Sequence, residues 1–160
     1  MKSDTLRLVD ALLAQSRIGV ISTLAKATSL SVAPGSPEVA VVAITGIGDG
    51  ALVFATTRTT HKAQNILADG RAAVVAGWEY LTTVQMCGVA YPLAGSERDF
   101  AMDAHIAAHP DSRVLSLSAD EMYFRFEPAW IRYSDFTKPT PLIVEMEPSG
   151  TRSRSGLRAA

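Results

Sequence analysis

Short β-branched runs recur along this chain, and most are joined by connections too brief for a parallel crossover, which takes about a dozen residues. IGVISTLA, EVAVVAIT, ALVFAT, RAAVVAGWE and TTVQMCGVAYPL are separated by turn signals such as Pro34-Gly35 and GIGDG. A final stretch, MYFRFEPAWIRYSDF, alternates large apolar and polar residues and reads as a strand pair bent at Pro128. Strands chained this way pair antiparallel. The expectation is a mainly β fold: six or so strands in a small closed or partly closed barrel, with helices packed on its ends. EVAVVAIT (38–45) and ALVFAT (51–56), flanking GIGDG, read as a hairpin.

Three segments carry a helical period instead. Asp4 to Gln15 places apolar residues at Leu6, Val9, Leu12 and Leu13, with Ser3 or Asp4 as N-cap. HKAQNILADG reads as a helix of two or three turns, with Thr59 or Thr60 as N-cap and Gly70 as C-cap. SERDFAMDAHIAAHP has Ser96 as N-cap, acidic residues early and Pro110 past its end. Residues 1–147 read as one domain, followed by a basic tail, 148–160, with three arginines and no acid after Pro148.

Composition excludes several classes. Fifteen Lys and Arg against sixteen Asp and Glu give a net charge of −1, so nothing in the balance suggests nucleic acid or an anionic membrane surface. A single cysteine, Cys87, excludes an intrachain disulfide framework and a cysteine-based zinc site. Its neighbours Val84, Met86 and Val89 predict a buried thiol. No apolar run approaches the roughly 18 residues of a membrane span. Asp4, Arg7 and Asp10 interrupt the N-terminal leucines where a signal peptide needs an apolar core. A soluble, cytoplasmic protein is the expectation.

The chemistry concentrates in Thr56 to Lys62, TTRTTHK, where a strand hands over to a helix. The first N–H groups of a helix have no partner inside it, and the helix dipole adds partial positive charge there. Thr57, Thr59 and Thr60 bring hydroxyl donors, and Arg58, His61 and Lys62 bring cationic groups. That combination suits an anion such as a phosphate. Ordinary N-capping and solvation also explain polar residues at a helix start.

FATTRTTHKAQNILADGRAAVVAG resembles the central signature of the pyridoxamine 5′-phosphate oxidase-like, FMN-binding split β-barrel family. IGVISTLA resembles that family's first barrel strand, and TTVQMCGVAYPL its valine-x-glycine-x-alanine strand. MYFRFEPAWIRYSDF resembles the closing strand of the short, general-stress-protein-like branch. The likeness runs in order over roughly residues 5 to 145. It implies a homodimer with FMN at the interface. By position, Ala55 and Thr56 would lie along the flavin. Thr60, His61 and Lys62 would hold the phosphate, with Thr57 and Arg58 nearby. Thr83 falls where the family's oxidases place a glutamine beside the ring. Trp130 and Arg132 would approach the ring from the partner subunit. Relatives with this fold also use a deazaflavin or bind haem. The chain departs from the oxidases in four places. His61 replaces an arginine, EVAVVAIT lacks the phosphate-binding arginine, Thr83 is shorter than glutamine, and the Arg- and His-rich C-terminal segment has no counterpart. The resemblance therefore implies a flavin-dependent oxidoreductase acting with a small-molecule substrate or electron donor, not a true pyridoxamine phosphate oxidase. The alternative it leaves is a non-catalytic dimeric stress or sensor protein holding FMN, deazaflavin or haem.

His105 and His109 stand at i, i+4, a spacing open to a metal, but there is no HExxH arrangement. Histidines near a helix C-terminus also complement its dipole. Ser116, Ser118 and Asp120 suit a loop and assemble no hydrolytic triad.

Overall fold

The computed structural model describes residues 3–26 and 32–148. Helix α1 (Asp4–Gln15) is capped by Ser3, whose side chain accepts from the Leu6 amide, and it buries Leu6, Val9 and Leu13. Then come β1 (Ile18–Leu24), β2 (Pro37–Ala43), β3 (Thr45–Gly48) and β4 (Ala51–Thr57). Helix α2 (His61–Ala68), β5 (Arg71–Ala76) and β6 (Thr82–Pro92) follow. Helix α3 (Gly95–Ala108), β7 (Glu121–Asp135) and β8 (Leu142–Met146) complete the order. Short 3-10 turns, Glu79–Leu81 and Pro110–Leu117, precede β6 and β7.

All pairings are antiparallel, in the order β2-β1-β5-β6-β7-β4-β3, with β8 on β7 beside them. The two ends of that path, β2 and β3, are consecutive in the chain and separated by Ile44 alone. A flat sheet cannot bring its outer strands one residue apart, so the sheet must curl. The result is the curled antiparallel half-barrel of a split β-barrel.

That closure corrects the expected hairpin. Residues 37–43 pair with β1, and only Thr45 to Gly48 turn back on β4. Asp10 of α1 holds this tighter turn through the amides of Asp49 and Gly50. The expected strand pair at Pro128 is one continuous strand, β7, with its irregularity opposite Gly88. A Cβ on Gly88 would meet the Glu127 carbonyl oxygen at 2.0 Å, so only glycine lets the two backbones approach there. β7 is long enough for two neighbours on one side: β4 takes 121–126 and β8 takes 131–135. Two helix caps also differ from expectation. Asp69, not Gly70, ends α2, and Ala94 precedes α3, leaving Ser96 inside the first turn.

The main core fills the inside of the curl with Ile21, Ile44, Leu52, Phe54, Met86, Phe124, Phe126 and Ile131, closed by α1 and α2. A smaller cluster, Val53, Ala101 and Tyr123, lies under α3. The tail 149–160 lies outside the described residues.

Candidate functional site

β4 ends at Thr57, and the chain turns through Arg58 to Thr60 into α2. Thr60 builds the turn. Its hydroxyl accepts from the Ala63 amide at 3.3 Å and donates to the Thr57 carbonyl at 2.9 Å. The Thr56 hydroxyl lies 3.1 Å from it. The amides of His61 and Lys62, ahead of Ala63, have no partner within the helix. The Arg58 amide donates to the Asp120 carbonyl, and the Arg58 carbonyl accepts from Gln64 Nε2, so its backbone is fixed while the residue is exposed. Thr59 is also exposed.

Two carboxylates that sequence reasoning passed over flank this turn. Glu121, which opens β7 directly opposite Thr57, is 8% exposed. The Thr57 hydroxyl and the Lys62 charge both favour its ionised form. Burial pushes its carboxyl above the usual carboxylate range, and Thr57 and Lys62 pull partly back. Glu38 of β2 lies 3.5 Å from His61 Nδ1. It also accepts from Asn65 Nδ2 at 2.6 Å. Buried Asn65 donates as well to the Thr23 hydroxyl, and its Oδ1 accepts from the Lys26 amide. It thereby locks α2 to β1 and β2. The only sequence signal for these partners was a Glu at the start of a strand, which ordinarily reads as solvated surface.

The other expected residues lie elsewhere on the molecule. In β6 and β7 the core takes Val84, Met86, Ile131 and Tyr133. The alternating positions face outward: Thr83 opposite Ser134, Gln85 opposite Arg132, Cys87 opposite Trp130. Cys87 is therefore exposed, correcting the expectation of a buried thiol. The outer face continues through Val75 and Val20 to Val41, and through Ala73 and Ser22 to Val39. Val39 and Val41 are 73% and 64% exposed. Arg132 pairs with Glu145 at 3.2 Å, yet its Nε is buried with no hydrogen-bond partner among the described residues. Trp130 and Arg132 stand nine to eleven residues beyond Glu121 on β7, roughly 30 Å at the usual strand rise. The fold thus brings together Ala55, Thr56, Thr57, Arg58, Thr60, His61 and Lys62, and separates them from Thr83, Trp130 and Arg132.

The other histidines serve the closure. His109 Nε2 donates to the Ile44 carbonyl at 2.8 Å, and His105 Nδ1 lies 3.0 Å from the Thr45 hydroxyl. Ile44 lies between the two ladders, and its carbonyl needs such a partner. Burial, with a smaller push from His109, lowers the His105 pKa to about 4. Among the described residues no three His, Cys, Asp or Glu side chains gather as a metal site.

A family model described as pyridoxamine 5′-phosphate oxidase matches residues 7–135. No curated protein matches the chain. Among solved structures, a heme binding protein from Mycobacterium smegmatis superposes with a TM-score of 0.75 at 17% identity. That match covers 92% of this chain, which spans only 60% of that protein's length. General stress protein 26 from Bacillus anthracis gives 0.60 at 16% identity, covering 90% of this chain and all of its own. A pyridoxamine 5′-phosphate oxidase-related, FMN binding protein from Nostoc punctiforme gives 0.65 at 12% identity, covering 92% of each. At these identities the structures share the fold with this chain.

Proposed function

The chain belongs to the pyridoxamine 5′-phosphate oxidase family, and on that premise we propose that it binds FMN and works as a flavin-dependent oxidoreductase on a small molecule, as a homodimer with its sites at the interface. The observation that carries the reading is the division of the site into two parts that one chain cannot join. At one end, the open first turn of α2 with Arg58 and Lys62 fits a phosphate. At the other, the outward β face offers the unpartnered Arg132 Nε beside Trp130, with apolar Val39 and Val41 on the same sheet. An exposed apolar sheet face of this kind suits a second copy.

In this reading Thr60, His61, Lys62 and the first-turn amides hold the phosphate, with Thr57 and Arg58 beside them. Ala55 and Thr56 border the flavin, and Thr83, Trp130 and Arg132 of a second copy lie near the ring and cover it. Bound FMN supplies the group that accepts and donates electrons. The chain's residues anchor it, orient it and keep water from its face. At the mouth of α2, β2 contributes Glu38, not an arginine, so oxidation of pyridoxamine phosphate is not part of the proposal. A cytoplasmic location is part of it; no helix among the described residues is long and apolar enough to cross a membrane.

The second reading is a dimeric stress or sensor protein that holds FMN, deazaflavin or haem without turnover. One observation bears on haem: His105 and His109 are buried in hydrogen bonds, leaving His61 as the histidine with an exposed ring. Titration with FMN and riboflavin, followed by flavin fluorescence, tests the first reading. We expect FMN to bind and riboflavin to bind poorly. Equal affinities would remove the phosphate site, and haem binding lost in His61→Ala would favour the second reading.

A further inference from the structure

The phosphate end of the site holds its own carboxylate in the place where an anion's partners are found. Glu121 is buried directly across the β4–β7 ladder from Thr57, and the Thr57 hydroxyl and the Lys62 charge both favour its ionised form. Resting on the FMN reading above, we propose that Glu121 is a proton-taking latch: a phosphate monoester dianion draws Thr57 and Lys62 away from Glu121, and the abandoned carboxylate takes up one proton as the ligand binds. The balance is simple. Free protein, dianion and one proton go in; the complex with a neutral Glu121 carboxyl comes out, and no covalent bond changes.

Three observations support this. Glu121 is buried, so a carboxylate stripped of its donors there cannot turn to water and is cheaper to protonate than to leave charged. Its carboxyl already sits above the ordinary range while Thr57 and Lys62 still serve it. And the turn's other cation, Arg58, is exposed and stands among the residues assigned to the phosphate, so it follows Lys62 to the ligand and does not replace it. From α3, Arg98 lies over the Tyr123 ring and is 3.6 Å from Asp99. From the preceding turn comes Asp120, an acid, whose carbonyl accepts from the Arg58 amide. From β7 itself comes Tyr123, whose own pKa is raised by burial and by the Glu121 charge. Glu38 is the second carboxylate at the mouth, but it keeps Asn65 as a donor when His61 moves away.

The latch makes phosphate-ester binding favour lower pH. The test is calorimetric titration with FMN at pH 7.5 in two buffers of different ionisation enthalpy, on wild type, Glu121→Gln and His61→Asn. A histidine beside a phosphate is the other group able to take up a proton, which the third variant removes. We expect proton uptake in wild type and in His61→Asn, and none in Glu121→Gln. We also expect wild-type affinity to fall by up to tenfold between pH 7 and pH 8, with a flat profile for Glu121→Gln. Should Glu121→Gln fail to fold, carbon-13 NMR of glutamate-labelled wild type reads the same event, as one carboxyl carbon moving to its protonated position on adding FMN. Equal uptake in wild type and Glu121→Gln, or no shifted carboxyl, would overturn the latch while leaving FMN binding standing. Failure of wild type to bind FMN would overturn both.

Discussion

At the mouth of α2, His61 keeps 77% of its side chain in solvent and faces one carboxylate 3.5 Å away. At the far end of α3, His105 is 2% exposed, its ring tilted against that of His109 with centroids 4.7 Å apart, and both rings are tied to the corner at Ile44 and Thr45. The same residue type, each time near a helix terminus, does different work. Where the ring is open, the charges around it can be rearranged by a ligand. Where the rings are buried, one nitrogen of each is already committed, and burial disfavours the charged form of His105.

The contrast can be broken first with pH. The folded state holds His105 near pKa 4, below the ordinary 6.5 of the unfolded chain. Between those values the unfolded state binds the extra proton, so stability falls as pH drops through that window, by about 3 kcal/mol in all. Denaturant unfolding at pH 7 and pH 4.5 measures it, and His105→Phe should flatten the slope. Glu121 carries the opposite sign. Its carboxyl is raised in the folded state, so its contribution fades as pH climbs above the ordinary carboxylate value. Glu121→Gln should therefore gain stability at neutral pH relative to acid. A parallel acid response in both variants would erase the distinction between the clusters.

Next in size is Lys62→Ala. It should weaken FMN binding by about 1–3 kcal/mol, as for a charge-assisted contact, and leave riboflavin unchanged. FMN affinity equal to wild type would place the phosphate elsewhere. The smallest effect expected is at Thr60→Ala. It removes the cap that takes the Ala63 amide and should cost about 1 kcal/mol of stability, read from thermal unfolding.

Much of this was legible in the sequence, and the gaps have physical causes. Helix α1 capped by Ser3 or Asp4, α2 capped by Thr59 or Thr60, and the antiparallel pairing all follow from local chemistry; the structure selects Ser3 and Thr60. The division of EVAVVAIT at Ile44 has no such local cause. It comes from barrel closure, which depends on the two sheet edges meeting and not on any residue's preference. Pro128 reads in sequence as a bend between two strands, but the strand continues because Gly88 across the ladder leaves room for the irregularity. Within the site, Thr56 to Lys62 are contiguous and were visible together. Glu38 and Glu121 reach them only through β2 and β7, from 23 residues before His61 and 64 residues after Thr57. Cys87 is exposed because an apolar neighbourhood in sequence says nothing about which face of a strand a side chain takes.

The central claim, a site shared between two copies, is tested most directly by complementation. Lys62→Ala damages the phosphate end and Trp130→Ala the far face, so each variant alone should bind FMN weakly. Refolded together in equal amounts, they should form mixed dimers with one site free of both changes, restoring wild-type affinity to roughly a quarter of all sites. Weak binding throughout the mixture, with mixed dimers demonstrably present, would mean that each chain holds its ligand alone.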